Sequence, residues 1–132
     1  MPLSCSTRDA GTDLPKVLLL GDSVTVGYAP LVRKRLEGVA DVIFLEEGGR
    51  PRNLGNTRGA RKALRLGWIP PRRWNVIHFN FGLNDFAYRN RSVPVGAPGR
   101  LDKRRGVITV PPDEYEANLR TLVNELRGGP TS

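Results

Sequence analysis

Ser23 closes the tripeptide Gly21-Asp22-Ser23, which follows directly on the apolar run KVLLLG of Lys16 to Gly21. A serine placed there presents its hydroxyl at the end of a strand and close to a helix N-terminus, whose partial positive charge favours a developing alkoxide or oxyanion. The position suits a nucleophile, and it suits equally a residue that only caps the helix or joins an anion-binding turn. Farther along, Asn53-Leu54-Gly55-Asn56-Thr57 contains Gly55, whose backbone N–H can come close to an anion because no Cβ intervenes; alone, the stretch reads as any turn. In Gly82-Leu83-Asn84-Asp85 the Asn84 amide would point its NH2 into the same space as Ser23, as an oxyanion-hole donor must. Asp85 suits bracing of that loop through backbone hydrogen bonds better than chemistry. His78 is the only histidine and Cys5 the only cysteine. They can assemble neither a metal ligand set nor an intrachain disulfide, and nothing points to an organic cofactor.

Such groups work together only if the chain brings them to one place. Lys16 to Gly21 reads as a strand buried on both faces. A helix follows, with Val24 to Gly27 leading into it and Leu31, Val32 and Leu36 on the apolar side of Ala29 to Glu37. Asp41 to Leu45 is the second strand, and Glu46 to Asn56, with three glycines and a proline, is a loop. Thr57 to Leu66 has helical spacing in Ala60, Ala63 and Leu64, weakened by Gly59. Asn75 to Phe81 is the third strand, and Asn84 to Pro112 is a long excursion with one short apolar run, Val107 to Val110. The last helix is announced by Pro111-Pro112-Asp113, with Asp113 as cap and Glu116 completing a capping box. Its apolar face comprises Tyr115, Leu119, Leu122, Val123 and Leu126, and Gly128-Gly129-Pro130 ends it. Strand, helix, strand, helix, strand, helix makes a small parallel sheet covered on both faces. In such sheets the working residues lie at the carboxyl ends of the strands, where each of the three stretches begins.

With its three stretches in this order, the sequence resembles the SGNH hydrolases, also called GDSL esterases and lipases. Gly21-Asp22-Ser23 is similar to the family's nucleophile block, Gly55 to its glycine block, and Gly82-Leu83-Asn84-Asp85 to its Gly-x-Asn-Asp block. The resemblance runs from about Lys16 to the end of the last helix. It implies a three-layer α/β/α flavodoxin-like fold with a short parallel sheet and Ser23 as acyl-accepting nucleophile. It also implies an oxyanion hole from the Ser23 and Gly55 N–H groups and the Asn84 side chain, with Asp22 and Asp85 supporting. The family takes its general base from a late Asp-x-x-His block, and this chain has none. His78 precedes Gly82 by four residues, about 13 Å below the strand end at 3.3 Å per residue, so it reads as a buried, hydrogen-bonded strand residue. The third strand would also present a free edge. We therefore expect residues 16–132 to be the N-terminal part of a longer hydrolase domain whose later strands are missing, or a chain whose edge a second copy or a partner covers. Turnover by the 132 residues alone should be weak or absent.

Length and composition bound the alternatives. One domain fits 132 residues, and no apolar stretch approaches the ~18 residues of a membrane-spanning helix. Residues 1–15 read as a flexible segment without the basic start and apolar run of a secretory signal, which points to the cytoplasm. The net charge of +8, carried by 17 arginines among 21 basic residues, raises nucleic acid as a partner. Dispersed arginines without interleaved aromatics favour solvated faces and loops instead. A small-molecule ester is the expected ligand, with a non-catalytic anion- or acyl-binding module and a basic nucleic-acid binder as the other readings.

Overall fold

The computed structural model describes residues 13–128. The residues through 12, most of the expected flexible segment, and Gly129-Pro130 of the expected helix stop lie outside the described residues. Strands β1 (Lys16–Gly21), β2 (Asp41–Phe44) and β5 (Val76–Asn80) form a parallel sheet in the order β2-β1-β5. Two two-residue hairpins, β3 (Glu46–Glu47) with β4 (Arg50–Pro51) and β6 (Tyr88–Arg89) with β7 (Val107–Ile108), fold the loops that follow. Three helices complete the chain: α1 (Ser23–Arg35), α2 (Thr57–Arg65) and α3 (Pro112–Leu126). The result is an α/β fold with a small parallel sheet.

The central strand β1 is continuously apolar because helices cover both of its faces. Leu18 and Leu20 pack with Ala60, Ala63 and Leu122 of α2 and α3, whereas Leu19 packs with Ala29 of α1 and with Val42 and Phe44. The pleat thus assigns alternate leucines to two separate cores. No helix among the described residues is long and apolar enough to cross a membrane.

Four local expectations are corrected. Helix α1 begins at Ser23, a full turn before the expected apolar run, because Asp22 supplies an N-cap: its Oδ1 accepts from the Val24 N–H at 2.9 Å. The core side of α1 is therefore the buried Thr25 and Ala29 with the half-buried Val32, continued by half-buried Leu36 at the cap, and Leu31 is 62 % exposed. At α3 it is Pro111 that occupies the cap position, with no side-chain hydrogen bond, and Pro112 opens the helix. Proline at the first position loses nothing, since that N–H has no helical partner. Asp113 therefore falls in the first turn, where its charge meets the helix dipole, and Glu116 pairs with Arg120 instead. The loop after β2 contains the β3–β4 hairpin. Finally, His78 is exposed, because β5 is an edge strand with no further strand beside it among the described residues.

Candidate active site

Asp22, Leu54, Gly55 and Asn84 meet at the carboxyl ends of the parallel strands. The register pairs Gly21 with Asn80, so β1 and β5 end level with each other. The turn after β4 is tied to that rim by the Leu54 N–H, which donates to the Gly21 carbonyl at 2.9 Å. From β5 the chain turns back through Gly82 and brings Asn84 across to the other two segments. The Asn84 Nδ2 donates to the Gly55 carbonyl at 3.1 Å and, at a longer 3.3 Å, to Asp22 Oδ2.

Ser23 is exposed at the first position of α1, beside the buried Asp22, and its hydroxyl has no hydrogen-bond partner among the described residues. A nucleophile needs that accessibility. Because Asp22 caps the helix, capping is not the task of Ser23. Asp22 is fully occupied in turn: one oxygen holds the helix start and the other holds the Asn84 amide.

Gly55 differs from the sequence reading in which of its groups faces the rim. Its φ of +75° is a left-handed conformation that glycine adopts without a Cβ penalty. In that conformation its N–H donates to Asn53 Oδ1 at 2.8 Å, and it is the carbonyl that meets Asn84. The expected donor is therefore engaged by a neighbouring side chain and becomes available to an anion only when Asn53 gives way.

Beneath the rim lies a polar network that the sequence reading did not identify. Asp85 is 0 % exposed, and its Oδ1 accepts both the backbone N–H (3.0 Å) and the hydroxyl (2.5 Å) of Thr57, the first residue of α2. The Thr57 hydroxyl accepts from Asn118 Nδ2 at 2.9 Å, and Asn118 Oδ1 accepts from Arg61 at 3.1 Å. Asp85 thus braces its loop against the N-terminus of α2, and through Thr57 against the middle of α3. Its second oxygen is buried with no hydrogen-bond partner. Tyr115 of α3 donates to the Phe81 carbonyl at 2.8 Å and holds the end of β5. Burial, and secondarily the charge of Asp85, pushes the Tyr115 phenol above its ordinary value, so it remains a donor. The one available signal for this network was Asn118, a polar residue four positions before Leu122 on an otherwise apolar helix face.

His78 lies level with Leu19 in the register, two residues before the end of β5. Its Nε2 bonds the Tyr28 hydroxyl at 2.8 Å, and Tyr28 in turn bonds Thr25. It is therefore hydrogen-bonded as expected, but exposed and directed at α1, with the nitrogen nearest the helix engaged by a phenol. Among the described residues, no three His, Cys, Asp or Glu side chains gather as a metal site would require.

No protein-family model, no curated protein and no solved structure matches this chain.

Proposed function

We propose that the protein is a serine-dependent hydrolase of carboxylic esters, built on a flavodoxin-like sheet and working through an acyl-enzyme. One observation carries the reading: the Asn84 amide lies between Gly55 and Asp22 at the rim of a parallel sheet, and Asp22 directly precedes the exposed Ser23 at a helix N-terminus. Three stretches that are each ambiguous converge at one point, and a serine beside a rigid amide donor and a helix N-terminus is what acyl transfer requires.

In this mechanism the Ser23 Oγ adds to the ester carbonyl carbon while its proton passes to a base. The carbonyl oxygen, now an oxyanion, takes hydrogen bonds from the Ser23 N–H, from the Asn84 amide as its longer bond to Asp22 yields, and from Gly55 once Asn53 releases it. Collapse expels the alkoxide, which leaves as the alcohol on taking up the proton. Water then adds to the acyl-serine, releases the carboxylic acid and restores the Ser23 hydroxyl.

With the His78 nitrogen held by Tyr28, no imidazole is set beside Ser23 among the described residues. Solvent then has to accept the proton, and turnover falls to the residual level that binding and the oxyanion hole sustain. The expected result is slow, stoichiometric labelling of Ser23 by a fluorophosphonate, abolished in Ser23→Ala, with p-nitrophenyl acetate turnover well below that of ordinary esterases. Labelling undiminished in Ser23→Ala would refute the assignment.

The engaged Gly55 N–H and the distant histidine favour one further reading, a module that binds acyl or anionic groups without cleaving them. It forecasts no fluorophosphonate adduct at all. Nucleic-acid binding receives less support, since many arginines are spent internally: Arg33 on the Val42 carbonyl, Arg58 on Glu114, Arg61 on Asn118 and Arg100 on the Asn90 and Val93 carbonyls.

A further inference from the structure

The excursion between Asn84 and Pro112 delivers one side chain back to the rim. Arg89, in β6, donates from Nη1 to the Asn84 backbone carbonyl at 2.8 Å and from Nη2 to Asn84 Oδ1 at 3.2 Å. Nη1 also bonds the Thr109 hydroxyl, which is itself held by the Ala87 carbonyl at 2.8 Å across the β6–β7 hairpin. The guanidinium is half-buried, and all three of these acceptors are neutral oxygens.

An asparagine amide has an acceptor end and a donor end of almost the same shape, so only its neighbours decide which way it faces. Here every neighbour agrees. Arg89 offers donors to Oδ1, while Gly55 O and Asp22 Oδ2 offer acceptors to Nδ2. Turning the amide over would set N–H against N–H at Arg89 and oxygen against oxygen at Gly55 and Asp22, which replaces three attractions by three repulsions. A charged donor on the amide oxygen also polarises the group and makes its N–H the stronger donor.

We infer that Arg89 is a positioning residue for the oxyanion site: it locks the Asn84 amide with its NH2 toward the rim and strengthens it as a donor to a developing negative charge. The role in catalysis rests on the ester-hydrolase reading; the locking of the amide does not. The β6–β7 hairpin then has a definite task, which is to hold a guanidinium behind Asn84, and Thr109 fixes the guanidinium in that place.

The test combines two readouts on the full chain: the side-chain amide resonances of Asn84 in 1H–15N spectra, and the rate at which a fluorophosphonate labels Ser23. Arg89→Met should shift and broaden the Asn84 amide pair and slow labelling by about 10- to 100-fold, less than or equal to the loss seen when an oxyanion donor is removed outright. Arg89→Lys, which keeps the charge but not the fork, should recover part of that loss. Thr109→Val, which removes one anchor of the guanidinium while leaving both Asn84 contacts possible, should change the spectra and the rate in the same direction as Arg89→Met but by less. In a double-mutant cycle, Arg89→Met should add no further loss to Asn84→Ala, because the guanidinium acts through that amide.

Asn84 resonances unmoved in a folded Arg89→Met, or losses that simply add in the cycle, would overturn the inference. Should Arg89→Met fail to fold, Arg89→Lys decides it by the same spectra: an unperturbed Asn84 amide counts against us. A parent chain that takes no label at all would defeat the hydrolase reading while the spectra still judge the locking of the amide.

Discussion

Asp85 and Thr57 show how much a single buried contact can carry. The carboxylate has one oxygen satisfied twice by Thr57 and the other by nothing, so it has no partner to spare. Thr57→Val keeps the shape but removes a donor from Asp85 and the acceptor from Asn118. Leaving buried polar groups unpaired costs about 2–3 kcal/mol in such a pair, far more than the small gain from an added methyl. We expect a lower midpoint in urea unfolding with an unchanged slope, and a shift under about 0.5 kcal/mol would show that the network is not structural. At this scale the sequence disclosed the rim residues and largely concealed their supports: Ser23, Gly55 and Asn84 follow strand ends in recognisable short stretches, whereas Thr57 and Arg89 have no local signature and Asn118 shows only as a polar residue on an apolar helix face.

At the scale of elements, α2 is decided by a conflict between propensity and packing. Gly59 sits inside the helix, where alanine is ordinarily better by about 1 kcal/mol. A Cβ there would stand 1.7 Å from the Leu54 carbonyl oxygen, a backbone atom of the turn that is itself tied to the rim. Sterics win over propensity. Gly59→Ala should destabilise the protein by roughly 1–3 kcal/mol, the range of overpacked sites, and should also disturb the Gly55 turn; a more stable Gly59→Ala protein would count against this packing. The glycine that weakened the helix in the sequence reading is what lets that helix approach the site. Helices α2 and α3 are joined outside by Arg58, which grips both oxygens of Glu114 at 2.5 and 2.8 Å. The Arg58 hydrogen bonds hold the Glu114 carboxyl below its ordinary value of 4.5. The sign follows directly: the stabilisation is fully present above about pH 4.5 and is lost as pH falls through the depressed value. Glu114→Gln should therefore lower stability slightly at neutral pH, as expected for an exposed pair, and flatten the acid limb below pH 4.5 by that same small amount.

Across the whole molecule, the two edges of the sheet are treated differently. At β2 the Arg33 guanidinium bonds the Val42 carbonyl and lies 3.8 Å over the Phe44 ring, a charged cover of the kind that discourages strand addition. At β5, Val76 is 53 % exposed and the strand alternates exposed and half-buried residues. A free edge with an apolar residue at its start is a template for pairing with another chain. The chain should self-associate with rising concentration, and Val76→Lys should suppress that in light scattering without lowering the melting temperature. Equal scattering from both proteins would place the association elsewhere.

The sequence alone determined the strands β1, β2 and β5, the three helices that cover them and the alternation of sheet and helix, because continuous apolar runs and helical periodicity are local patterns written in adjacent residues. It also placed Ser23, Gly55 and Asn84 after strand ends. Only the tertiary structure decided that β5 lies at an edge and so exposes His78, that the Gly55 N–H is held by Asn53, and that Arg89, Thr57 and Asn118 stand behind the rim. Strand order is a matter of pairing between distant segments. The Asp85–Thr57 and Thr57–Asn118 bonds join residues 28 and 61 positions apart, and a contact across such a separation leaves no periodicity for a linear reading to find.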